Sequence, residues 1–255
     1  MGVRLGSLRG RRFLVVSARA DAACAVAIAC LAAALGCAPA PPGRALRPAA
    51  EPPPVAALYE AQGQITEYVD SGRYDADVTR FVDQAIAWLN ERAPKAHRPA
   101  IVLDIDETSL SNWQAYRLNH WARILQGDCN LDHGPCNIRV WQAMGKSTAI
   151  APTLHLVDRA HQLGVAVFFI TGRPSSLRAV TEQNLREQGY TWDGVILLPV
   201  DERFASGVDF KAPERHRLAD QGYTIVLSMG DQQSDLDGGF AEKTFKLPNP
   251  VYFLP

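Results

Sequence analysis

The sequence predicts an α/β fold: a Rossmann-like parallel sheet flanked by helices, with further helices at the N-terminus and a small, mainly helical cap. Several short apolar runs each end in polar residues, which is typical of strands buried in a parallel sheet. Helical patterns separate these runs, as crossover helices do. The composition, 47% hydrophobic and 21% charged, excludes a disordered or collagen-like chain.

The predicted elements alternate along the chain in the order of a parallel sheet. Apolar residues at helical spacing predict an amphipathic helix over about 75–91, ahead of the sheet. The four predicted strands cover 100–104, 165–170, 194–198 and 224–229. The crossover helices are predicted over 153–163, 175–188 and 211–220.

The first 36 residues differ in composition from the rest of the chain. Five arginines precede or flank the start of an apolar run over 22–35, whose 14 residues are too few to span a bilayer comfortably. A basic start followed by a short apolar run predicts an export signal over 1–36. The segment 34–37, Ala-Leu-Gly-Cys, resembles the lipobox of bacterial lipoproteins, so Cys37 is expected to carry lipid. A plain secretory signal cut elsewhere is the alternative.

Residues 37–54 are predicted to form a tether. Seven of the 17 prolines fall there, and such a stretch is semi-extended and stiff. With a lipidated Cys37, this arrangement predicts a protein of the bacterial cell envelope, outside the cytoplasm. Its lipid anchor would hold it at the outer membrane, facing the periplasm. A disordered terminus without an anchor has the same composition.

The charge balance argues against one class of partner. The formal net charge is −1, from 26 basic and 27 acidic residues, and removing 1–36 with its five arginines leaves an excess of acidic residues. Binding to a nucleic-acid backbone depends on clustered Lys and Arg. A nucleic-acid duplex is therefore not expected as a partner.

Two cysteines remain in the predicted domain, Cys129 and Cys136, on either side of turn-forming residues. In an oxidising compartment they are expected to close a small loop through a disulfide. A metal site that includes His133 is an alternative, although the segment lacks further ligands at a familiar spacing. Two unpaired thiols are the remaining alternative.

Polar residues close three of the predicted strands at the edge where a parallel sheet binds ligands. They are Asp104, Asp106 and Thr108 after 100–104, Thr171, Gly172 and Arg173 after 165–170, and Asp231 and Asp235 after 224–229. Four carboxylates in one crevice repel each other unless a cation neutralises them, and carboxylate oxygens suit Mg²⁺. Lys211, at the predicted start of a helix, is a candidate for a further positive charge.

These residues fall into four ordered motifs that resemble those of the haloacid dehalogenase superfamily. Asp-Ile-Asp-Glu-Thr at 104–108 resembles the first motif, and 169–173, Lys211 and 230–235 match the second, third and fourth. The particular residues within these motifs, together with the ending at 245–250, resemble those of acid phosphatases of the class B and class C type. That group includes bacterial lipoprotein phosphatases and plant vegetative-storage-type phosphatases.

The resemblance implies one acid phosphatase domain over 55–255, with a cap inserted at about 113–150. It implies an enzyme that depends on Mg²⁺ and hydrolyses phosphate monoesters through an aspartyl-phosphate. Asp104 is then the nucleophile. Asp106 protonates the leaving oxygen and later takes a proton from water. We therefore expect Asp106 to be protonated when substrate arrives, and activity to be highest at acidic pH.

The remaining roles also come from the resemblance. Thr171 is expected to hydrogen-bond a phosphoryl oxygen, with the backbone at Gly172 close by, and Lys211 to reduce the repulsion between nucleophile and phosphate. Arg173 either binds phosphate or pairs with an acid. The expected Mg²⁺ ligands are Asp104, the backbone carbonyl of Asp106, Asp231, and Asp235 directly or through water.

The substrate is expected to be a small phosphate monoester, either a nucleotide or an aryl or alkyl phosphate. Four aromatic residues, Trp113, Tyr116, Trp121 and Trp141, either stack on its leaving group or form the core of the cap. Two other functions stay open: phosphotransfer to an alcohol, and a lipoprotein that binds a phosphorylated ligand or stores nitrogen without turnover. Some plant relatives lose the nucleophile, and the presence of Asp104 argues against that loss here.

Overall fold

The computed structural model describes residues 57–254. The predicted export signal at 1–36, the lipidation candidate Cys37 and the predicted tether at 37–54 lie outside the described residues. Within residues 57–254, no helix is both long enough and apolar enough to cross a membrane.

A five-stranded parallel sheet lies at the centre of the described chain. The strands, in chain order, are β1 (Pro99–Leu103), β2 (Leu110–Ser111), β3 (Thr148–Ala149), β4 (Ala166–Pro174), β5 (Gly194–Leu198), β6 (Thr224–Gly230) and β7 (Thr244–Lys246). Five of them form the sheet, in the order β5-β4-β1-β6-β7, and β2 and β3 form a separate antiparallel pair. All four predicted strands lie in the sheet. The sequence does not predict β7, because three residues are too few to form a pattern.

Helices cover both faces of this sheet. They are α1 (Leu58–Asp70), α2 (Arg73–Arg92), α3 (Trp113–Leu118), α4 (Ile138–Met144), α5 (Ala151–Gln162), α6 (Arg178–Glu187) and α7 (Gly207–Asp220). The predicted helices correspond to α2, α5, α6 and α7. Helix α7 begins earlier than predicted, because Ser206 and Asp209 form a capping box ahead of the second turn.

Strand β1 is buried on both faces, and its alternate side chains belong to two separate apolar clusters. Ile101 and Leu103 pack with residues of α2 and α5, whereas Ala100 and Val102 pack with Phe210 of α7. This layering is expected of a parallel sheet covered on both sides, and it confirms the predicted fold class. The carboxyl end of β1 lies between β4 and β6, where the strand order reverses and open α/β sheets bind their ligands.

The chain between β1 and α5 forms the small cap. Three of its aromatic side chains, Tyr116, Trp121 and Trp141, are 1%, 6% and 1% exposed and share one apolar cluster. Trp113 is half-buried and packs edge-on against Trp121. At least three of the four aromatic residues therefore form the core of the cap, which is the second of the two alternatives drawn from the sequence.

A disulfide joins Cys129 and Cys136 in the cap. The Cys136 side chain is fully buried in the aromatic cluster. His133 contacts the Asn130 side chain at 3.1 Å and the Gly134 carbonyl at 2.8 Å. Of the alternatives for this loop, the structure contains the disulfide and not a metal site built on His133.

Candidate active site

The strand ends bring three carboxylates together. Strands β1 and β6 pair with Leu103 opposite Met229, so Asp104 and Asp231, which follow these residues, leave the sheet at the same edge. The Asp104 N–H donates to the Met229 carbonyl at 2.9 Å. Asp235 lies in a short 3₁₀ turn after β6. One carboxylate oxygen from each of the three aspartates lies within 4.8 Å of the others.

A close approach at Gly230 allows Asp235 to reach this cluster. A Cβ atom at Gly230 would collide with the Asp235 carboxylate, so only glycine fits there. The Gln232 N–H donates to Asp235 Oδ2 at 2.9 Å. Arg215 of α7 is fully buried and donates to the carbonyls of Asp235 at 2.6 Å and Gly239 at 2.9 Å. These bonds fix the turn that carries the third carboxylate.

A buried lysine lies between two of the carboxylates. Lys211 Nζ is 2.5 Å from Asp104 Oδ1 and 2.6 Å from Asp235 Oδ1. Burial by itself lowers the pKa of Lys211, but the two carboxylates outweigh burial and raise this pKa above its ordinary value. Lys211 therefore carries its charge. It lies inside α7, which corrects the expectation that it stands at a helix start.

The acidic cluster has more negative than positive charge. Burial raises the pKa of Asp104 well above its usual value, and Asp235 and Asp231 add to this effect against the opposing charge of Lys211. Burial, and then Asp235, also raise the pKa of Asp231 to about 6. A divalent cation would neutralise the remaining charge, and carboxylate oxygens are ligands that Mg²⁺ prefers. The residues present therefore fit a divalent metal ion.

Asp106 is held by a different set of partners. Arg173, buried at the end of β4, donates from Nε to both carboxylate oxygens at 3.1 Å and from Nη2 to Oδ1 at 2.7 Å. Asn112 and Gln142 donate from their amides at 2.8 and 2.9 Å. Burial raises the pKa of Asp106, but the charge of Arg173 and these hydrogen bonds outweigh it and hold the pKa below its usual value.

This arrangement corrects the expectation that Asp106 is protonated when substrate arrives. The carboxyl group of Asp106 is ionised, because four donor groups, among them two nitrogens of a charged guanidinium, favour the anion. An acidic activity optimum therefore does not follow from Asp106 in this arrangement. Of the two alternatives for Arg173, the structure shows the ion pair with an acid. Its Nη1 atom is buried and has no hydrogen-bond partner among residues 57–254.

Thr171 and Gly172 lie at the same edge of the sheet, on β4. Thr171 is 1% exposed, and its hydroxyl accepts the N–H of Arg173 at 3.1 Å. Gly172 is exposed. If it carried a Cβ atom, no heavy atom of the described residues other than those of Thr171 and Arg173 would lie within 4 Å of that Cβ. The backbone at Gly172 is therefore accessible to a ligand.

Glu107 is a buried acid of the site that sequence reasoning missed. It accepts the Asn112 N–H at 2.7 Å and the Tyr252 hydroxyl at 2.9 Å. Burial, and then the charges of Asp106 and Asp231, raise the pKa of Glu107 to about 8. Tyr252 is 145 positions away along the chain, so no spacing rule connects the two residues.

Comparisons with known proteins agree with this geometry. The family model of the HAD superfamily, subfamily IIIB (Acid phosphatase), matches residues 53–255. The Stem 28 kDa glycoprotein of Glycine max is 35% identical over 193 residues, which are 74% of this chain and 72% of that protein. Acid phosphatase 1 of Solanum lycopersicum is 30% identical over 198 residues, which are 76% of this chain and 75% of that protein.

A solved structure shares the fold. The class C acid phosphatase from Bacillus anthracis with tungstate bound has a TM-score of 0.60 and 21% sequence identity, and the match covers 76% of this chain and 86% of that chain. At this identity, the likeness supports the fold alone. The family match covers most of the chain and confirms the resemblance read from the four motifs. The chain belongs to the HAD superfamily, subfamily IIIB, and is an acid phosphatase of the haloacid dehalogenase type, a phosphomonoesterase.

Proposed function

We propose that this protein hydrolyses phosphate monoesters with Mg²⁺ held by Asp104, Asp231 and Asp235, and through a phosphoaspartate on Asp104. The observation that carries this proposal is the buried group of three carboxylates whose oxygens lie within 4.8 Å of one another. When bound, the metal ion would reduce the repulsion between an anionic nucleophile and a phosphate dianion. The Asp106 carbonyl, which accepts no backbone hydrogen bond from the described residues, is a candidate fourth ligand.

Asp104 supplies the nucleophilic oxygen, and a bound divalent ion, together with Lys211, would favour its ionised form against the burial that raises its pKa. Lys211 donates to Oδ1, whose second lone pair could still bind the metal ion, so we assign the attack to Oδ2. A bond forms between Oδ2 and phosphorus as the bond to the leaving oxygen breaks, which gives the phosphoaspartate and an alkoxide or phenolate that takes a proton from water or from a protonated Asp106. Water then attacks the phosphorus, releases phosphate and restores the carboxylate. The charge of Lys211 stabilises the phosphoryl oxygens in both steps.

Asp106 acts as the base in the second step. Its ionised carboxylate, held by Arg173, is in the form that accepts a proton from the attacking water. Protonating an alkoxide leaving group in the first step requires that Asp106 first gain a proton, whereas a p-nitrophenolate leaving group needs none. If Asp106 serves only as the base, Asp106→Asn lowers turnover of alkyl phosphates by no more than that of p-nitrophenyl phosphate, because the second step is the same for both. A larger loss with alkyl phosphates would show that it is also the acid.

Two features of the site bear on the substrate: the exposed backbone at the edge of the sheet and the buried aromatic side chains of the cap. The exposed backbone at Gly172, beside Thr171, is suited to a phosphate group. The burial of Tyr116, Trp121 and Trp141 leaves them unable to stack on a nucleobase. We therefore favour small aryl and alkyl phosphates over nucleotides. A panel of aryl, alkyl and nucleoside monophosphates tests this order, and a preference for nucleotides would contradict it.

Turnover of p-nitrophenyl phosphate tests the metal and the nucleophile. Chelation is expected to stop turnover and added Mg²⁺ to restore it, and Asp104→Asn is expected to abolish it in a folded protein. Turnover that chelators do not change contradicts the proposed metal ion. Turnover by the Asp104→Asn protein contradicts the assignment of Asp104 as the nucleophile. Absence of turnover with every monoester would favour the storage alternative. Transfer of phosphate to added alcohol would favour phosphotransfer.

We also propose that the protein is exported and lipid-anchored at Cys37, in the bacterial cell envelope. The sequence over 1–37 supports this proposal, and the disulfide between Cys129 and Cys136 is of a kind that persists in oxidising compartments. Mass spectrometry of membrane-extracted protein is expected to find an acylated Cys37 at the start of the mature chain. An unmodified Cys37 in freely soluble protein contradicts the anchor.

A further inference from the structure

The segment that follows β7 lies against one of the three clustered carboxylates. Asn249 Nδ2 donates to Asp231 Oδ2 at 2.6 Å. At the end of β7, Lys246 Nζ donates to the backbone carbonyl of Asp231 at 3.0 Å. Both the side chain and the backbone of Asp231 are therefore held by residues of the ending at 245–250, which lies outside the four motifs.

The orientation of the Asn249 amide is fixed by its own turn. Its Oδ1 accepts the backbone N–H of Val251 at 2.9 Å and that of Tyr252 at 3.3 Å. An amide oxygen that accepts two N–H groups cannot exchange places with the amide nitrogen without losing both bonds. The NH₂ group of Asn249 must therefore face Asp231, where it can only donate.

Gln232 is oriented in the same way. Its Oε1 accepts the Leu254 N–H at 2.8 Å, and its Nε2 donates to Asp231 Oδ2 at 2.5 Å. The C-terminal segment thus fixes two side-chain amides, and both donate to the same oxygen of one carboxylate. Among residues 57–254, Asp231 Oδ1 has a single hydrogen-bond contact, a long one of 3.4 Å with the Thr108 hydroxyl.

We propose that Asn249 is a positioning residue that divides the Asp231 carboxylate into an anchored oxygen, Oδ2, and a metal-binding oxygen, Oδ1. The two amide donors occupy Oδ2 and set the plane of the carboxylate, so Oδ1 keeps its lone pairs for the ion. The C-terminal segment is then part of the metal site although it supplies no ligand. This inference rests on the proposed metal at Asp231. Removing an outer partner of a metal ligand typically weakens metal binding by about 10–100-fold.

The experiment measures Mn²⁺ affinity by electron paramagnetic resonance of the free ion, with no substrate present. Asn249→Ala and Asn249→Ser are both expected to raise the Mn²⁺ dissociation constant by about 10–100-fold. Serine can still accept the turn N–H groups but is too short to reach Asp231, so it keeps the test valid if the alanine variant does not fold. Thermal unfolding in chelator reports any separate effect on the fold.

Asn130 provides a matched control. Its Oδ1 accepts the N–H groups of Asp132 at 2.9 Å and His133 at 3.3 Å, which is the same turn in the cap loop without a contact to Asp231. Asn130→Ala is expected to leave Mn²⁺ affinity unchanged. Equal affinity of the wild type and both folded Asn249 variants would overturn the positioning role alone. If the wild type does not bind Mn²⁺, the proposed metal site fails, and the positioning role fails with it.

Discussion

Replacement of Arg173 by methionine tests how the structure holds Asp106. The Arg173 side chain is 0% exposed and that of Asp106 is 17% exposed. Removing one partner of a buried ion pair costs about 3–5 kcal/mol, because the other charge stays buried without compensation. Because Asp106 is partly exposed, we expect Arg173→Met to lower the free energy of unfolding by about 3 kcal/mol, the lower end of this range. A typical domain has about 5–15 kcal/mol of stability, so the loss is measurable without complete unfolding.

The loss is expected to depend on pH. In the wild type, the pKa of Asp106 lies below its unfolded value, so its contribution is present above about pH 4 and is lost as pH falls through the folded pKa. In Arg173→Met, burial is no longer opposed by the arginine and raises the pKa of Asp106. The variant then takes up a proton at a higher pH than the wild type does, which relieves the unpaired charge. The difference in stability between the two proteins therefore shrinks towards acidic pH.

Urea unfolding in chelator at about pH 7 and about pH 4 measures this difference. Arg80→Met is the control, since the Arg80–Asp77 pair is 59% and 38% exposed and such pairs contribute about 0–1 kcal/mol. A loss in Arg173→Met no larger than in the control, or the same loss at both pH values, would refute the assignment of an ionised Asp106 held by Arg173.

Three further substitutions test the carboxylate cluster and the disulfide of the cap. Gly230→Ala is expected to displace the Asp235 carboxylate and destabilise the fold by about 1–3 kcal/mol, with loss of Mn²⁺ binding; unchanged unfolding and binding would contradict the close approach. Lys211→Gln is expected to lower kcat for p-nitrophenyl phosphate by about 10²–10³-fold. A change below twofold would show that the charge of Lys211 does not contribute to catalysis. Replacing Cys129 and Cys136 together by serine is expected to cost about 2 kcal/mol in thermal unfolding, whereas an unchanged midpoint would show that the disulfide does not stabilise the cap.

The parallel sheet and its acidic edge were predictable because their signals are local. Apolar runs such as 224–229 mark buried strands, and Asp231 comes directly after that strand. The topology of a parallel sheet then brings such residues to one edge without any knowledge of side-chain contacts. The convergence of Asp104 and Asp231 follows from these two facts, whereas Asp235 reaches them through the turn after β6 and the close approach at Gly230.

The protonation of Asp106 was not predictable, because it depends on a partner far away in the chain. Arg173 is 67 positions from Asp106, and its two roles, binding phosphate or pairing with an acid, look the same in the sequence. Gln142, from the cap, contributes a further donor at a separation of 36 positions. Without the coordinates, nothing in the sequence indicates that this carboxylate is surrounded by donors.

The contribution of the C-terminal segment was missed for a similar reason. The ending at 245–250 supports the family resemblance, but the spacing of Asn249 and Tyr252 from Asp231 and Glu107 predicts no contact between them. Asn249 and Tyr252 reach the site because of the path that the chain takes after β7. Strand β7 itself is too short to give a strand pattern in the sequence.

The most direct test of the central claim is to trap the phosphoenzyme. Acid quenching during turnover of p-nitrophenyl phosphate with Mg²⁺, followed by peptide mass spectrometry, is expected to find phosphate attached to Asp104 in the wild type and none in Asp104→Asn. Phosphate attached to another residue, or turnover without a phosphorylated peptide even when the quench is fast relative to kcat, would contradict the claim that Asp104 is the nucleophile of this phosphatase.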